Sequence, residues 1–178
     1  RTIPGSIRYE VLRRAGSKCE SCGIDIKQRA IEVDHIHPVS KGGKNEMANY
    51  QALCYVCNSQ KSNKDDTDFR QYKDLYALRD KDCLFCNLPK NRIIDESELI
   101  YVIKDAFPVT KHHLLFIPKR HTPDYFSLKQ PEVNSITTLL NKHKEKILKK
   151  DKTVTGFNIG MNNGEDAGQT IFHCHVHL

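Results

Sequence analysis

The apolar residues of this chain fall into short runs and one long periodic stripe. Runs at 99–103 and 113–117 predict two buried β-strands. From 127 to 150, apolar side chains recur every three or four positions, which predicts one long amphipathic helix. Segments 155–161 and 171–177 are predicted as two further strands. Antiparallel strands that share one long helix indicate an α+β fold.

The N-terminal part has shorter apolar segments. A helix is predicted for 6–15, because Ile7 and Val11 share one face and a glycine follows its end. A strand is predicted for 30–33, and a second helix is predicted to open at 58–64. These elements are too small to bury a large core by themselves.

The segment that joins the two parts is polar and charged. Its few apolar residues, between Tyr72 and Leu78, have helical spacing. We therefore predict a small module over 1–66, a linker helix over 67–82 and a larger domain over 83–178.

Charge and composition exclude few classes of function or partner. The formal net charge of +6 is spread over both parts, so it permits a polyanionic partner without requiring one. No apolar run is long enough to span a bilayer and no signal peptide is recognisable, so we predict no membrane partner and a cytoplasmic location. Because the first residue is Arg1, we also expect some N-terminal trimming.

The cysteines point to metal binding. Six of the seven form three pairs with two residues between the members of each pair. Without a secretion signal, that spacing favours zinc over disulfides and a reducing compartment. Two such pairs lie in the N-terminal module, where four thiolates would close a tetrahedral, structural zinc site. These four ligands are Cys19, Cys22, Cys54 and Cys57.

Residues between these cysteine pairs carry candidate chemistry. Asp34 and His35 are adjacent, a Gly-Gly loop follows, and Asn49 precedes a Cys-x-x-Cys-Asn-x-x-Lys run that contains Asn58. Over about 6–64 this pattern resembles the HNH endonuclease family, which implies a small ββα-metal module stapled by zinc.

The HNH resemblance implies a role for each of these residues. His35 would be the general base that activates water, and Asn49 would brace the loop that carries it. Asp34 would hold a divalent cation, and Asn58 stands where the family usually has a histidine that completes the metal site. Oxygen ligands suit Mg²⁺ or Mn²⁺. A module that binds DNA or another partner without cutting it is the alternative, and His37 could contact metal or phosphate or be purely structural.

The last residues of the chain form a second candidate centre. His173, His175 and His177 alternate, so a strand would place all three imidazoles on one face. The preceding loop, 162–170, is rich in glycine and amide side chains and could wrap a phosphate with backbone N–H groups. Surface histidines on an edge strand are the alternative.

The order of strands, Pro-Lys-Arg-His run, helix, amide loop and histidine cluster over 83–178 resembles the histidine triad (HIT) family. The resemblance implies a second structural zinc site made by Cys83, Cys86, His121 and His173. It implies that His175 is the nucleophile, which attacks an α-phosphorus and forms a nucleotidyl-histidine intermediate.

The same resemblance assigns residues to nucleotide binding. Phosphate would be held by His177, His113, Asn162, Gln169 and Thr170, and the ribose hydroxyls by Asp105. Ordinary strand and turn roles stay open for His113 and Asp105. The family often has Ser where Thr170 stands, and it usually continues beyond the position of Leu178. Cys174 is predicted to be a small buried apolar residue.

These patterns together predict an enzyme with two parts. The expected activity is hydrolysis or transfer at the α-phosphate of a nucleotide conjugate by a HIT-like domain, which would form a homodimer. The HNH-like module is expected to act on DNA as a metal-dependent nuclease. The alternatives are a DNA endonuclease whose HIT-like domain senses a nucleotide, and a non-catalytic nucleic-acid adaptor.

Overall fold

The computed structural model describes residues 3–178, and at Lys73 the backbone alone. The chain divides into two compact units, Arg1–Leu75 and Tyr76–Leu178. The division of the sequence at 1–66, 67–82 and 83–178 stays a prediction. No helix within 3–178 is both long enough and apolar enough to cross a membrane.

The first unit is a two-stranded antiparallel ribbon flanked by helices. Helix α1 spans Gly5–Arg14, strand β1 Ile31–His35, strand β2 Tyr50–Cys54 and helix α2 Tyr55–Lys61. The strands pair with Ile31 opposite Cys54 and His35 opposite Tyr50. Because β2 is buried along its whole length, it forms the centre of this unit's core, which Val11 of α1 completes.

The loop between β1 and β2 depends on two glycines. Gly42 has a φ of 94°, in the left-handed region that favours glycine. A Cβ at Gly43 would overlap the backbone carbonyl of His37. This close approach holds the loop against the end of β1, where Asp34 and His35 lie.

The joining segment is less helical than predicted. Helix α3 covers only Tyr72–Tyr76, after a 3₁₀ turn over Phe69–Gln71. Phe69 and Tyr72 pack on the core of the first unit, which explains why that compact unit extends to Leu75.

The second unit is a four-stranded antiparallel sheet with one long helix. Strand β3 spans Ile93–Glu96, β4 Ile100–Lys104, β5 Leu114–Pro118 and β6 Val176–His177, and the sheet has the order β3-β4-β5-β6. Helix α4, Gln130–Lys150, packs on β4 and β5 through buried residues such as Ile136, Leu139 and Ile147. The predicted α+β fold class is confirmed.

Several predicted boundaries are wrong. Segment 155–161 is not a strand, because it pairs with β6 only at Gly160 and contains two glycines, which weaken strands. Only Val176–His177 of the predicted strand 171–177 joins the sheet. Helix α4 begins at Gln130 rather than at 127, and β3 was not predicted at all.

Candidate functional sites

The four cysteines of the first unit form one cluster. The Sγ atoms of Cys19, Cys22, Cys54 and Cys57 all lie within 4.8 Å of one another. The Cys22 and Cys54 sulfurs are 3.9 Å apart, close to the ~3.8 Å that a tetrahedral site with 2.3 Å zinc–sulfur bonds requires. Hydrogen bonding among the four thiols lowers the pKa of Cys19 and Cys54 and raises the pKa of Cys22 and Cys57, so the sulfurs share protons that a bound metal would displace. This cluster therefore fits zinc.

His35 lies at the end of β1 with one ring nitrogen engaged. Its Nε2 is 2.9 Å from Asn45 Oδ1, an acceptor, so Nε2 carries the proton. The ring also packs edge-on against Tyr50, with centroids 4.9 Å apart. Nδ1 is consequently the nitrogen with a lone pair, and it is the one that could accept a proton from water.

Asn49 ties the two ends of the loop together. Its Oδ1 accepts a hydrogen bond from the His37 backbone N–H at 2.8 Å. Its Nδ2 donates to the backbone carbonyls of His37 and Lys44, at 3.0 and 2.9 Å. All three bonds hold the loop that follows His35. His37 itself is exposed, and its Nε2 contacts the carbonyl of Lys41.

Asp34 and Asn58, the predicted ligands of a divalent cation, each have one polar atom engaged. Asp34 Oδ2 lies 3.2 Å from the buried ammonium of Lys61 and accepts a hydrogen bond from Gln51 at 3.0 Å. Asn58 Nδ2 donates to Glu32 Oε2 at 2.7 Å. Among the described residues, these contacts leave Oδ1 of each side chain without a hydrogen bond, and carboxylate and amide oxygens are donors that suit Mg²⁺ or Mn²⁺.

A second four-ligand cluster lies in the second unit. It is made of Cys83, Cys86, His121 and His173, whose ligand atoms lie within 4.8 Å of one another. His173 is fully buried, and its Nε2 donates to the Pro118 carbonyl at 2.8 Å. Its Nδ1 is therefore free of a proton and faces the Cys83 sulfur at 3.3 Å.

Burial keeps His173 in the form that binds metal. It lowers the pKa of His173 to about 4, so the ring is neutral at pH 7. A hydrogen bond from the remote ring nitrogen to a backbone carbonyl is the usual way in which proteins orient a zinc-bound histidine. The cluster therefore fits a structural zinc ion.

His175 has a fixed ring orientation and a fixed tautomer, as a nucleophilic histidine requires. The ring is buried, and its Nδ1 donates to the backbone carbonyl of His173 at 2.7 Å. A neutral imidazole with its proton on Nδ1 has its lone pair on Nε2. The ring of Phe85 packs edge-on at 5.2 Å, which further restricts the orientation of His175.

A chain of hydrogen bonds fixes the neighbouring histidines. The Val109 backbone N–H donates to His113 Nδ1 at 3.1 Å. The proton of a neutral His113 must then lie on Nε2, which is 2.8 Å from His177 Nδ1. His177 accepts at Nδ1 and carries its own proton on Nε2. Burial, helped by the neighbouring His175 and His113, lowers the pKa of His177, so it is neutral at pH 7.

Asp105 completes this group. Its Oδ1 accepts from the Phe107 N–H at 2.8 Å, and its Oδ2 lies 3.4 Å from His113 Nε2. The ligand atoms of Asp105, His113 and His177 are close enough together to hold a metal ion. However, the bond from Val109 uses the Nδ1 lone pair of His113, so its Nε2 bears the proton and is not a ligand. We therefore interpret the group as a hydrogen-bonded relay.

The loop over 162–170 lies beside these histidines. The buried side chain of Gln169 accepts from the Gly164 N–H at 2.7 Å and donates to the carbonyls of Pro123 and Ile171. It thus holds the loop in shape. Asn162 and Thr170 are exposed, and Asn162 Nδ2 contacts the Gly168 carbonyl at 3.2 Å.

A cavity of about 650 Å³ opens next to this loop. Its lining includes His113, Asn162 and His177, apolar residues such as Val154, and charged residues such as Asp151. Cys174 points away from this chemistry: it is buried, and burial raises the pKa of its thiol to about 12.

Sequence reasoning missed the residues that orient these side chains. Glu32, Gln51 and Lys61 contact the predicted cation ligands, and Val109 acts through its backbone. Glu32 and Asp34 alternate on β1, and Asn58 and Lys61 are three residues apart on a helix. This spacing indicates that each pair shares one face, so it could have suggested their contacts. The hydrogen bond from Val109 comes from its backbone N–H, which the residue type does not reveal.

Comparisons with known proteins agree with both halves of this description. Residues 87–178 match the model of the HIT domain, and residues 19–64 match the model of the HNH endonuclease domain. Both predicted resemblances are therefore confirmed.

Individual relatives match the second half of the chain. An uncharacterised HIT-like protein of Mycoplasma genitalium is 38% identical over 100 residues, which are 54% of this chain and 70% of that protein. An adenosine 5'-monophosphoramidase of Candida albicans is 32% identical over 104 residues, 54% of this chain and 68% of that protein. The solved structure of a HIT family protein from Bacillus anthracis superposes with a TM-score of 0.51 at 35% identity, covering 56% of this chain and 72% of that one.

One matched region contains the histidine cluster and the other contains the Asp34–His35 pair, whereas Cys83 and Cys86 lie just before the HIT match. The HIT model alone covers more than half of the chain. The chain therefore belongs to the HIT family through residues 87–178, and it carries an HNH endonuclease domain over residues 19–64.

Proposed function

We propose that the HIT domain hydrolyses, or transfers, the nucleotidyl group of a nucleotide conjugate by attack at its α-phosphorus. The observation that carries this proposal is the hydrogen bond from His175 Nδ1 to the His173 carbonyl. It leaves Nε2 as a nucleophile in a ring that cannot turn freely. A nucleoside phosphoramidate or a dinucleoside polyphosphate has the required α-phosphate.

The reaction would proceed in two displacements. His175 Nε2 forms a bond to the α-phosphorus while the bond to the leaving group breaks, and the leaving group takes up a proton. Water, or another acceptor, then attacks the nucleotidyl-histidine, loses a proton and releases His175. Splitting one difficult displacement into two lowers each barrier.

The surrounding groups would stabilise the charge that develops on the phosphate oxygens. His177 presents its Nε2–H because its Nδ1 accepts a hydrogen bond from the Nε2–H of His113. Asn162, Thr170 and loop N–H groups would add donors, and Gln169 would act by holding the loop. Fixed donors in a partly dry site are effective because they need no rearrangement during the reaction. Asp105 Oδ2 would accept hydrogen bonds from the ribose.

The relatives support this substrate class. The Candida albicans protein is an adenosine 5'-monophosphoramidase by name, and its similarity covers the HIT domain. HIT-type chains of this kind would act as homodimers through that domain. Zinc at both four-ligand clusters would be structural, in agreement with a reducing cytoplasmic location.

Turnover of adenosine 5'-phosphoramidate tests the proposal. The wild-type chain is expected to release AMP, and His175→Ala is expected to lose at least about a thousandfold in kcat. Cys174→Ala, next to the nucleophile but outside the site, is the matched control and should keep most of the activity. Equal rates in wild type and His175→Ala would refute the role of His175.

The HNH match and the free Nδ1 of His35 favour a second activity, the cleavage of DNA. His35 Nδ1 would remove a proton from water, which attacks a phosphodiester phosphorus while the P–O bond to one sugar oxygen breaks and that oxygen takes up a proton. Asp34 and Asn58 would hold the cation, which when bound stabilises negative charge on the phosphate. Asn49 would keep the His35 loop in place. A zinc-stapled adaptor that binds nucleic acid without cutting is the alternative.

Nicking of supercoiled plasmid with Mg²⁺ or Mn²⁺ distinguishes a nuclease from a non-cutting adaptor. His35→Ala should abolish nicking, while His37→Ala, exposed two residues further on, should largely retain it. Nicking that is equal in wild type and His35→Ala would favour the adaptor or a contaminating nuclease.

A further inference from the structure

Four polar side chains of the HNH domain form two pairs. Glu32 and Asp34 alternate along β1 and so project to the same face of that strand. Asn58 and Lys61 are three residues apart in α2 and share a face of that helix. The pairs are Glu32 with Asn58, at 2.7 Å, and Asp34 with Lys61, at 3.2 Å.

In the second pair, buried neighbours fix the Asp34 carboxylate. Lys61 is 3% exposed, and its ammonium also donates to the His35 carbonyl at 2.9 Å. Gln51 is fully buried, and its own carbonyl oxygen accepts from the Phe69 N–H at 2.9 Å. Both Lys61 and Gln51 contact Oδ2 of Asp34, so Oδ1 is the oxygen left for a cation.

In the first pair, Glu32 decides which end of the Asn58 amide is available. The amide has one ligating atom, Oδ1, and one atom that would repel a cation through its hydrogens, Nδ2. A carboxylate oxygen accepts hydrogen bonds, so Glu32 Oε2 selects the rotamer in which Asn58 Nδ2 faces it. A histidine or an aspartate at this position would not need such a partner, whereas an asparagine does.

We propose that Glu32 is a positioning residue of the HNH cation site, which holds Asn58 Nδ2 so that Asn58 Oδ1 is presented to a hard divalent cation beside Asp34. The proposal rests on the proposed metal-dependent function of this domain. Glu32 acts through Asn58. Changing residues that orient metal ligands typically weakens metal binding by about 10- to 100-fold.

Mn²⁺ affinity, measured on the zinc-loaded full chain by the loss of the free Mn²⁺ signal in electron paramagnetic resonance, tests this. Glu32→Leu removes both the charge and the hydrogen bond. Glu32→Gln removes the charge but keeps an acceptor oxygen for Asn58 Nδ2. Asp34→Ala reports any Mn²⁺ bound elsewhere in the chain, and zinc content and thermal unfolding show that each variant is folded.

The expected Mn²⁺ affinities distinguish an effect on the orientation of the Asn58 amide from an effect of charge. Glu32→Leu should weaken Mn²⁺ binding at least about tenfold, and Glu32→Gln should stay close to wild type. Adding Asn58→Asp to Glu32→Leu should restore binding, because a carboxylate ligates through either oxygen. A similar loss in Glu32→Gln and Glu32→Leu would overturn the proposal, since charge alone would then be at work. If Glu32→Leu does not fold, Glu32→Ala, which also removes the charge and the acceptor, takes its place with the same expected loss.

Failure of the proposed cation site would look different. Wild type and Asp34→Ala would then bind Mn²⁺ equally, which would refute the site and the role of Glu32 together. Binding that depends on Asp34 but not on any Glu32 variant would refute only the role of Glu32.

Discussion

The two histidines proposed to do chemistry are held in different ways. His175 is buried, and a backbone carbonyl only two residues away fixes its tautomer. His35 is half-buried, and the exposed side chain of Asn45, in a loop ten residues away, fixes it instead. The proposed nucleophile is therefore preorganised by the chain itself, whereas the proposed general base depends on how well a glycine-containing loop is ordered.

The surroundings of the two centres differ in charge. Neutral imidazoles and backbone groups surround His175, with Asp105 as the nearby carboxylate in the relay. Charged pairs, Asp34 with Lys61 and Glu32 beside Asn58, surround the HNH centre. A neutral, partly dry site suits a group that must remain an uncharged nucleophile, while a site rich in oxygen ligands suits a hard cation.

Loss of the first zinc cluster is expected to have the largest effect. The first unit has a two-stranded sheet and a small core, so zinc would contribute on the order of 10 kcal/mol to its folding. Cys54→Ala should unfold this unit and leave the sheet of the HIT domain folded. Hydrogen exchange of the β1–β2 amides, with Cys174→Ala as the control, measures this. Protected β1–β2 amides in Cys54→Ala would contradict the expectation.

Breaking the buried ion pair of the HIT domain should come next. Glu132 is fully buried and bidentate to Arg120, at 3.0 and 2.7 Å, next to the proposed zinc ligand His121. Glu132→Ala leaves an unpaired buried charge and should lower the free energy of unfolding by about 3–5 kcal/mol. Glu145→Ala, exposed on the same helix, should change it by less than about 0.5 kcal/mol in the same denaturant titration. Equal effects would show that the pair is not structural.

The relay from His113 to His177 predicts a smaller, kinetic effect. His113→Phe removes the donor to His177 Nδ1, so the proton of His177 is no longer directed to Nε2. We expect kcat to fall by about a hundredfold, with the tautomer of His177 changed in ¹⁵N nuclear magnetic resonance. His112→Gln, whose native ring contacts Asp151 instead, is the control. An unchanged tautomer in His113→Phe would rule the relay out.

The pH dependence should be the smallest effect. Burial lowers the pKa of His177 below its usual 6.5, while Asp105 acts in the opposite direction. His177 therefore stays neutral as the pH falls to 6.5, and its protonation, which removes the acceptor for His113, occurs only below that. In Asp105→Asn the limb of the kcat profile due to His177 should move to lower pH. A move to higher pH would contradict the assigned electrostatics.

Much of this organisation was predictable because local spacing encodes it. The paired cysteines indicated the first metal cluster, and the periodic stripe that includes Ile136 and Leu139 indicated α4. The second cluster joins Cys83 and Cys86 to His121 and His173 across the chain, so only the resemblance to a family could group them. Segment 155–161 is not a strand, since Gly156 and Gly160 weaken regular pairing and only Gly160 pairs with β6.

The orientation of side chains was beyond sequence reasoning. Asn58 could be named as a ligand, but its contact with Glu32 depends on how α2 packs on β1. The proton positions on His113, His175 and His177 likewise follow from single hydrogen bonds to neighbours in space. Residue types indicated the chemistry, while the packing of the chain decided which atom of each residue performs it.

The most direct test of His175 as the nucleophile is the intact mass of the protein after brief mixing with adenosine 5'-phosphoramidate and an acid-free quench, followed by peptide mapping. An adenylyl adduct that maps to His175 in wild type and is absent from His175→Ala is the expected result. Turnover with no adduct at any mixing time, or an adduct that maps to another residue, would contradict the assignment of His175 as the nucleophile.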